Sequence, residues 1–383
     1  LANGLVSHGH EVEIITAHNR KTTLLQEING FKVHYLPVFY DNRLGFAKRV
    51  LAFVKFAWLA YRKARSLENV NLCYAISTPL TTGWVAQKLK SRLNLPYIFE
   101  VGDLWPEAPV QMGAIRWAWI INQLRKFEKG IYQNADQLVA LSPGIKDGII
   151  ETCPDKSVAV IPNMSDCQFY HLQSKDPALE SRFGVHGKLV VTYFGAAGKA
   201  NHLEYLIDAA YHAKNNRQLH FLILAQGSEL NRLKKLAARY ELDNLDFLPY
   251  RNRVALKEVL NITDVVYVSY ADKPVLATGS PNKYFDGLAA GKLMMINFKG
   301  WLKDITEQHE IGYYVDPEKP QILSQVLTPL RFDKRLLLKS QQNARLIAET
   351  FFSRDLAIQK LLKIVAPDKP RTIREPEVYN LTA

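Results

Sequence analysis

The sequence is poor in cysteine, has no long apolar run, and over one basic stretch has no acid at all. Its three cysteines, Cys73, Cys153 and Cys167, form no CxxC pair and no cluster with histidine. That argues against a disulfide framework or a structural zinc site, and favours a reducing cytosolic setting. No run of about 18 apolar residues is present, so no transmembrane helix is expected, and nothing reads as a signal peptide. His8 and His10, in SHGHE, lie two apart before a strand with no third ligand nearby, so they read as a loop pair and no metal is expected. What remains is a chain of 383 residues, 48% hydrophobic and 22% charged, with apolar content enough for two globular domains. The net charge of +12 suits phosphate-rich small molecules, acidic lipid or nucleic acid, and charge alone does not choose among them.

Strand-like apolar runs fall at 11–17, 31–38, 72–77, 97–101, 137–141 and 158–162, with helical patterns between most of them. That alternation predicts a parallel α/β sheet. The pattern lapses into the polar, irregular stretch 164–188, which reads as a domain junction. It resumes with 189–194, 219–224, 245–248, 265–270, 293–296 and 313–315, predicting a second sheet of the same kind. Two helical stretches, 334–350 and 354–365, and a poorly ordered tail follow. The expected domains are 1–164, 165–350, and 351–383 as a helix crossing back to the first domain with a flexible end. The expected fold is α/β, with two doubly wound Rossmann-like parallel sheets facing across a cleft where ligands meet the carboxyl ends of strands.

Three turns in the second half are candidates for holding an anion, although a glycine turn of this kind also serves a purely structural role in many α/β folds. Strand 190–194 runs into Gly195-Ala196-Ala197-Gly198-Lys199, with a helix expected near Asn201. A second strand ends at Gln226-Gly227-Ser228. The third turn opens GSPNKYFDGLAAGK, in which Ser280 is expected to cap, Pro281 to take the first helical position and Gly291 to stop the helix. Glycine turns before helices let backbone N–H groups approach a diphosphate, and Lys199 and Lys283 are its candidate counter-charges. Asp286 lies among core residues of that third helix, so it needs either a protein partner or a ligand. In the first half, FEVGDLWPE sets three acids and a tryptophan at a strand end. Asp103 and Glu107 are candidates for contact with hydroxyl groups; the plainer reading is that Glu100 and Asp103 cap helices or pair with Arg116 or Arg125.

LANGLVSHGHEVEIITA, FEVGDLWPEAPV, ALSPGIKDGI, VIPN, FGAAG, LAQGSEL and SPNKYFDGLAAGK, in that order, resemble the retaining glycosyltransferases of family 4, which have the GT-B fold. The nearest branch is the bacterial surface-polysaccharide enzymes that transfer N-acetylated amino sugars, of the L-fucosamine transferase type. The resemblance runs from about residue 1 to 365 and implies that Gly195, Gly198, Lys199, Gly227, Thr278, Gly279, Ser280, Asn282, Lys283 and Asp286 hold a nucleotide-sugar donor, UDP-linked. Asp103, Glu107, Lys199 and Lys283 would be the catalytic set. The family uses two acids eight positions apart; here Asp286 fills the second position, toward ribose hydroxyls, and Thr278 stands at the first. Relatives often have an arginine where this chain has Gly102. They also begin with a strand and a glycine-rich loop, so this chain, which opens inside a helical pattern, is expected to lack its true start.

The implied reaction needs no metal or cofactor and moves an N-acetylated hexosamine to a lipid-linked saccharide in cell-surface polysaccharide assembly. The alternatives are a UDP-sugar 2-epimerase of the same fold and an inactive, membrane-associated assembly homologue. Residues 43–66, from Arg43 to Ser66, carry seven basic residues and no acid, interleaved with aromatics. Lys48, Lys55 and Arg62 share one helical face, which suits an anionic membrane surface. A peripheral position at the inner face of the plasma membrane follows from that reading. No nucleic-acid module is recognised.

Overall fold

The alternation of apolar strands with amphipathic helices is realised in a computed structural model that describes residues 1–41, 44–250 and 252–366. Arg43 and the tail beyond Ala366 lie outside the described residues. The chain divides into two units: Leu1–Pro162 with Thr278–Ser280 and, from Asp355, the last helix; and Asn163–Ala277 with Pro281–Arg354.

In the first unit, β1 (Glu13–His18), β2 (Leu24–Ile28) and β3 (Phe31–Pro37) form a sheet of order β1-β3-β2. β4 (Cys73–Ile76), β5 (Tyr97–Val101), β6 (Gln137–Ala140) and β7 (Val158–Val160) form a second, all-parallel sheet in that order. The sequence pattern predicts one sheet here, whereas the strands pair as two. No described strand bonds to the outer edges of β1 and β4. β2 is an addition to the expected elements and pairs antiparallel with β3, Ile28 opposite Phe31. Asn29 and Gly30 both take positive φ, 50° and 82°, the two-residue hairpin turn that an Asn-Gly pair favours.

The second unit holds one six-stranded parallel sheet: β8 (Leu189–Ala196), β9 (Leu219–Gln226), β10 (Leu245–Pro249), β11 (Val265–Val268), β12 (Leu293–Ile296) and β13 (Gly312–Tyr314), in the order β10-β9-β8-β11-β12-β13. Successive β8 side chains point to opposite faces, as strand geometry requires. Val190 and Phe194 join a core layer with Phe285, Leu288 and Met294 on one side; Val191 and Tyr193 join Leu206, Ile207 and Phe221 on the other. Chain order reverses between β8 and β11, and in such sheets ligands bind beyond the carboxyl ends of strands at that switch. β8 ends there at Gly195 and Ala196.

Two local expectations are corrected. The third-turn helix spans Asn282–Ala289 with Pro281 as its N-cap in extended conformation, so buried Ser280 does not cap it. Proline there has no N–H to leave unpaired, which suits a boundary as well as a first turn. Gly291 is left-handed as expected, at φ 60°. After β8 a short 3₁₀ turn, Lys199–Asn201, and left-handed His202 precede the helix Glu204–His212, which starts later than near Asn201.

Candidate functional site

The glycine turns after β8 and β9 lock together backbone to backbone. Ala197 N–H donates to the Gln226 carbonyl at 2.8 Å, and Glu229 N–H donates to the Ala197 carbonyl at 3.0 Å. Gly227 sits at φ 147°, and a Cβ there would lie 2.5 Å from the Ala197 oxygen. Gly195 sits at φ 127°, with a Cβ position 3.3 Å from Lys283 Cε. Both positions therefore need glycine for conformation and for space.

Lys283 comes from the Asn282–Ala289 helix to fill the room that Gly195 leaves. Its Nζ donates to the Tyr193 hydroxyl at 2.9 Å and lies 4.4 Å from the centre of that ring. The Tyr193 hydroxyl donates onward to the Ala196 carbonyl at 2.6 Å, tying the lysine to the turn. No carboxylate among the described residues pairs with Lys283, and burial pushes its amine down to about 7. Among the described residues this half-buried amine has only a hydroxyl and an aromatic face for partners. Lys199, by contrast, is exposed on the 3₁₀ turn and makes no ion pair among the described residues. Gly198 extends into that turn, where its N–H reaches the Asn201 side chain at 3.4 Å. Asn282, the first helical residue, is exposed.

Asp286 lies one turn beyond Lys283 and is half-buried. It makes no side-chain hydrogen bond and no ion pair among the described residues. Burial pushes its carboxyl up to about 6, with attraction from Arg253 opposing and repulsion from Asp166 adding. Arg253 is engaged elsewhere: its Nη2 is 3.0 Å from Asp166, and its guanidinium lies 4.5 Å from the Phe169 ring centre and 5.3 Å from that of Tyr170. Asp166 is buried and also receives Arg354. Thus the arginine that would neutralise Asp286 is held by a second acid, and Asp286 keeps its acceptor atoms available. Tyr193, Asp166 and Arg253 were not singled out by sequence. Asp166 lies in the polar junction, where no periodicity marks it, and Arg253 resembles any basic residue at a helix start.

The other expected residues lie in the first unit. Thr278, at the first acidic position of the family pattern, accepts a hydrogen bond at its carbonyl from Ser142 Oγ at 2.5 Å, and its side chain packs on Gly144. Gly279 and Ser280 belong to the same three-residue segment and are buried. Asp103 keeps much of its surface open to water, yet neighbouring protein desolvates its carboxyl and pushes its pKa up; the Thr78 hydroxyl, 3.3 Å away, opposes that. Glu107 is held by Arg125, whose Nε and Nη2 donate at 2.8 Å and 2.6 Å, a pairing the sequence reading did not assign to this residue. Gly102 donates its N–H to Ser77 Oγ at 2.8 Å. His8 bonds the Gly4 carbonyl at 2.7 Å, as a loop histidine does. Among the described residues no group of three or more His, Cys, Asp and Glu side chains is arranged to hold a metal ion.

Comparison with known proteins bears on both halves. A stretch of 207 residues is 29% identical to the putative colanic acid biosynthesis glycosyl transferase WcaI of Escherichia coli (strain K12), covering 51% of this chain and 50% of that one. The match thus spans about half the length of this curated relative. Among solved structures, sucrose-phosphate synthase from Thermosynechococcus elongatus superposes with a TM-score of 0.76 at 16% identity, over 96% of this chain and 91% of that one. Anabaena Alr3699/HepE in complex with UDP superposes with a TM-score of 0.64 at 16% identity, over 88% and 86%. At these identities the likeness establishes the fold, which is GT-B. Residues 1–164 match the family described as glycosyl transferase 4-like domain, and residues 178–346 match glycosyl transferases group 1. With both halves matched in this way, the sequence and the fold together support placing this chain among the glycosyltransferases.

Proposed function

We propose that this protein is a retaining glycosyltransferase that moves an N-acetylated hexosamine from a UDP-sugar to a lipid-linked saccharide in cell-surface polysaccharide assembly. The observation that carries the donor half of this reading is Lys283, a half-buried amine with no counter-anion among the described residues, set against two interlocked glycine turns. A diphosphate placed there would supply the missing charge and receive backbone N–H groups. Asp286, one turn away, would accept from ribose hydroxyls, and a charged acceptor of this kind contributes about 1.5–3 kcal/mol. The likeness to WcaI, a putative colanic acid biosynthesis glycosyl transferase, and to HepE in complex with UDP and with UDP-glucose supports a nucleotide-sugar donor and a polysaccharide product.

The proposed reaction uses the residues available. The acceptor hydroxyl attacks the sugar's anomeric carbon on the face the diphosphate leaves. The bond from that carbon to the phosphate oxygen breaks, and the departing oxygen takes the hydroxyl proton. No protein nucleophile and no metal are required. Lys283 and the turn amides stabilise the charge that develops on the leaving phosphate, and Asp103 orients the acceptor. Glu107 would take part only by leaving Arg125.

The helix Phe46–Ala64 is the membrane-facing element of this proposal, and the site of action is the cytoplasmic face of the plasma membrane. No helix among the described residues is long and apolar enough to cross a membrane. The test is calorimetric titration with UDP, followed by an assay of UDP release from UDP-sugars with and without a lipid-linked saccharide. Absence of UDP binding would refute the donor site, and a new UDP-sugar formed without acceptor would indicate epimerisation.

A further inference from the structure

The largest aromatic exposure in the first unit is found at the start of the helix Ala118–Asn134. Trp117, its N-cap, is 67% exposed and Trp119 is 70% exposed. Neither ring contacts another ring or a cation among the described residues. Arg116, exposed beside them, is folded back to the Gly113 carbonyl at 3.1 Å. Two exposed indoles two residues apart are costly for a surface that does nothing, since each withholds a large apolar area from burial.

Their helix packs against Thr81–Leu93, where Gln87 Nε2 donates to the Gly130 carbonyl at 3.2 Å. Thr81–Leu93 in turn packs against Phe46–Ala64, with the Trp84 and Tyr61 rings 5.9 Å apart. The two outer helices therefore flank one shared neighbour in a single unit. The outward face of Phe46–Ala64 sets Leu51, 68% exposed, and Trp58, 52% exposed, among Lys48, Lys55 and Arg62, with no acid on the helix. Arg62 stacks on Trp58 at 4.8 Å. Apolar and cationic groups alternating on one exposed face complement an anionic bilayer surface, where indole rings lodge at headgroup level.

We propose that Trp117 and Trp119 form a second interfacial anchor, entering the headgroup layer of an anionic bilayer alongside the Phe46–Ala64 face. This rests on the membrane reading of that helix. Two separated contacts within one compact unit bind jointly, because the second engages at high effective concentration once the first is seated.

The test uses the full chain with vesicles of phosphatidylcholine and phosphatidylglycerol, some carrying brominated acyl chains. The native protein is expected to sediment with them and show quenched tryptophan emission. Trp117→Ser with Trp119→Ser should weaken sedimentation about tenfold, from loss of two buried indoles, and remove much of the quenching. Its circular dichroism and its rate with a water-soluble acceptor should be unchanged. If the double variant binds and quenches as the native chain does, while Lys48→Ser with Lys55→Ser and Arg62→Ser abolishes binding, the tryptophan anchor is wrong and the basic helix alone docks. If the native chain ignores vesicles, both readings fall. If light scattering shows a dimer that the tryptophan variant dissociates, the indoles serve a second copy of this chain and the proposal is overturned.

Discussion

The Lys283 amine donates to the Tyr193 hydroxyl at 2.9 Å, and that hydroxyl donates onward to the Ala196 carbonyl, so the lysine is fixed to the glycine turn before any ligand arrives. Its charge, however, meets no carboxylate among the described residues. Function and stability are opposed at this residue.

Lys283→Met is expected to weaken UDP binding by about 10- to 100-fold, the worth of one charged hydrogen bond, while raising the melting temperature of the ligand-free protein at neutral pH. The sign follows from linkage. The folded protein releases the Lys283 proton near 7, below the ordinary lysine value of 10.5, so between these the unfolded chain binds more protons. Stability then rises with pH across that window, and the cost of the buried charge is fully present below it. Calorimetry and thermal melts check both halves, and a variant that binds UDP normally would remove Lys283 from the site.

Asp286→Asn should reduce donor affinity about tenfold or more while leaving the fold intact or slightly more stable at neutral pH. Here the folded pKa is raised, to about 6 from 3.8, so stability falls as pH rises through that interval. The comparison of UDP with its 2′,3′-dideoxyribose analogue is decisive. Asn and Asp proteins should bind the analogue equally well.

Donor affinity should be bell-shaped in pH. Asp286 must be ionised to accept from ribose, which weakens binding below about 6, and Lys283 must be protonated to face diphosphate, which weakens it above about 7. Titrations with a UDP-sugar across this range would show it. A flat profile rules out the pairing of roles.

Asp166→Asn should move the acid limb of that profile to lower pH, because it removes a like charge from beside Asp286 and releases Arg253. It should also destabilise the second unit by about 1–3 kcal/mol, a buried-pair loss discounted for the exposure of both arginines.

Gly227→Ala places a Cβ 2.5 Å from the Ala197 oxygen at φ 147°. Backbone strain alone costs about 1–3 kcal/mol, so thermal stability and UDP binding should fall together. A rate loss without a change in the melting curve would mean that the turn yields.

The sequence by itself determined the alternation of strand and helix, the places of twelve of the strands, the glycine turns at the ends of β8 and β9, and the helix stop at Gly291, because each follows from period, backbone freedom or punctuation within a few residues. It carried the Asn29-Gly30 signal for β2 as well, though the flanking pattern was too short to draw the eye. Tertiary structure decided the rest. That Lys283 has no counter-ion among the described residues, that Asp286 has lost Arg253 to Asp166, and that Glu107 is taken by Arg125 depend on which distant residues share a few ångströms of space. Charge pairing is settled by that proximity and by burial, and neither quantity is written in the spacing of residues along a chain.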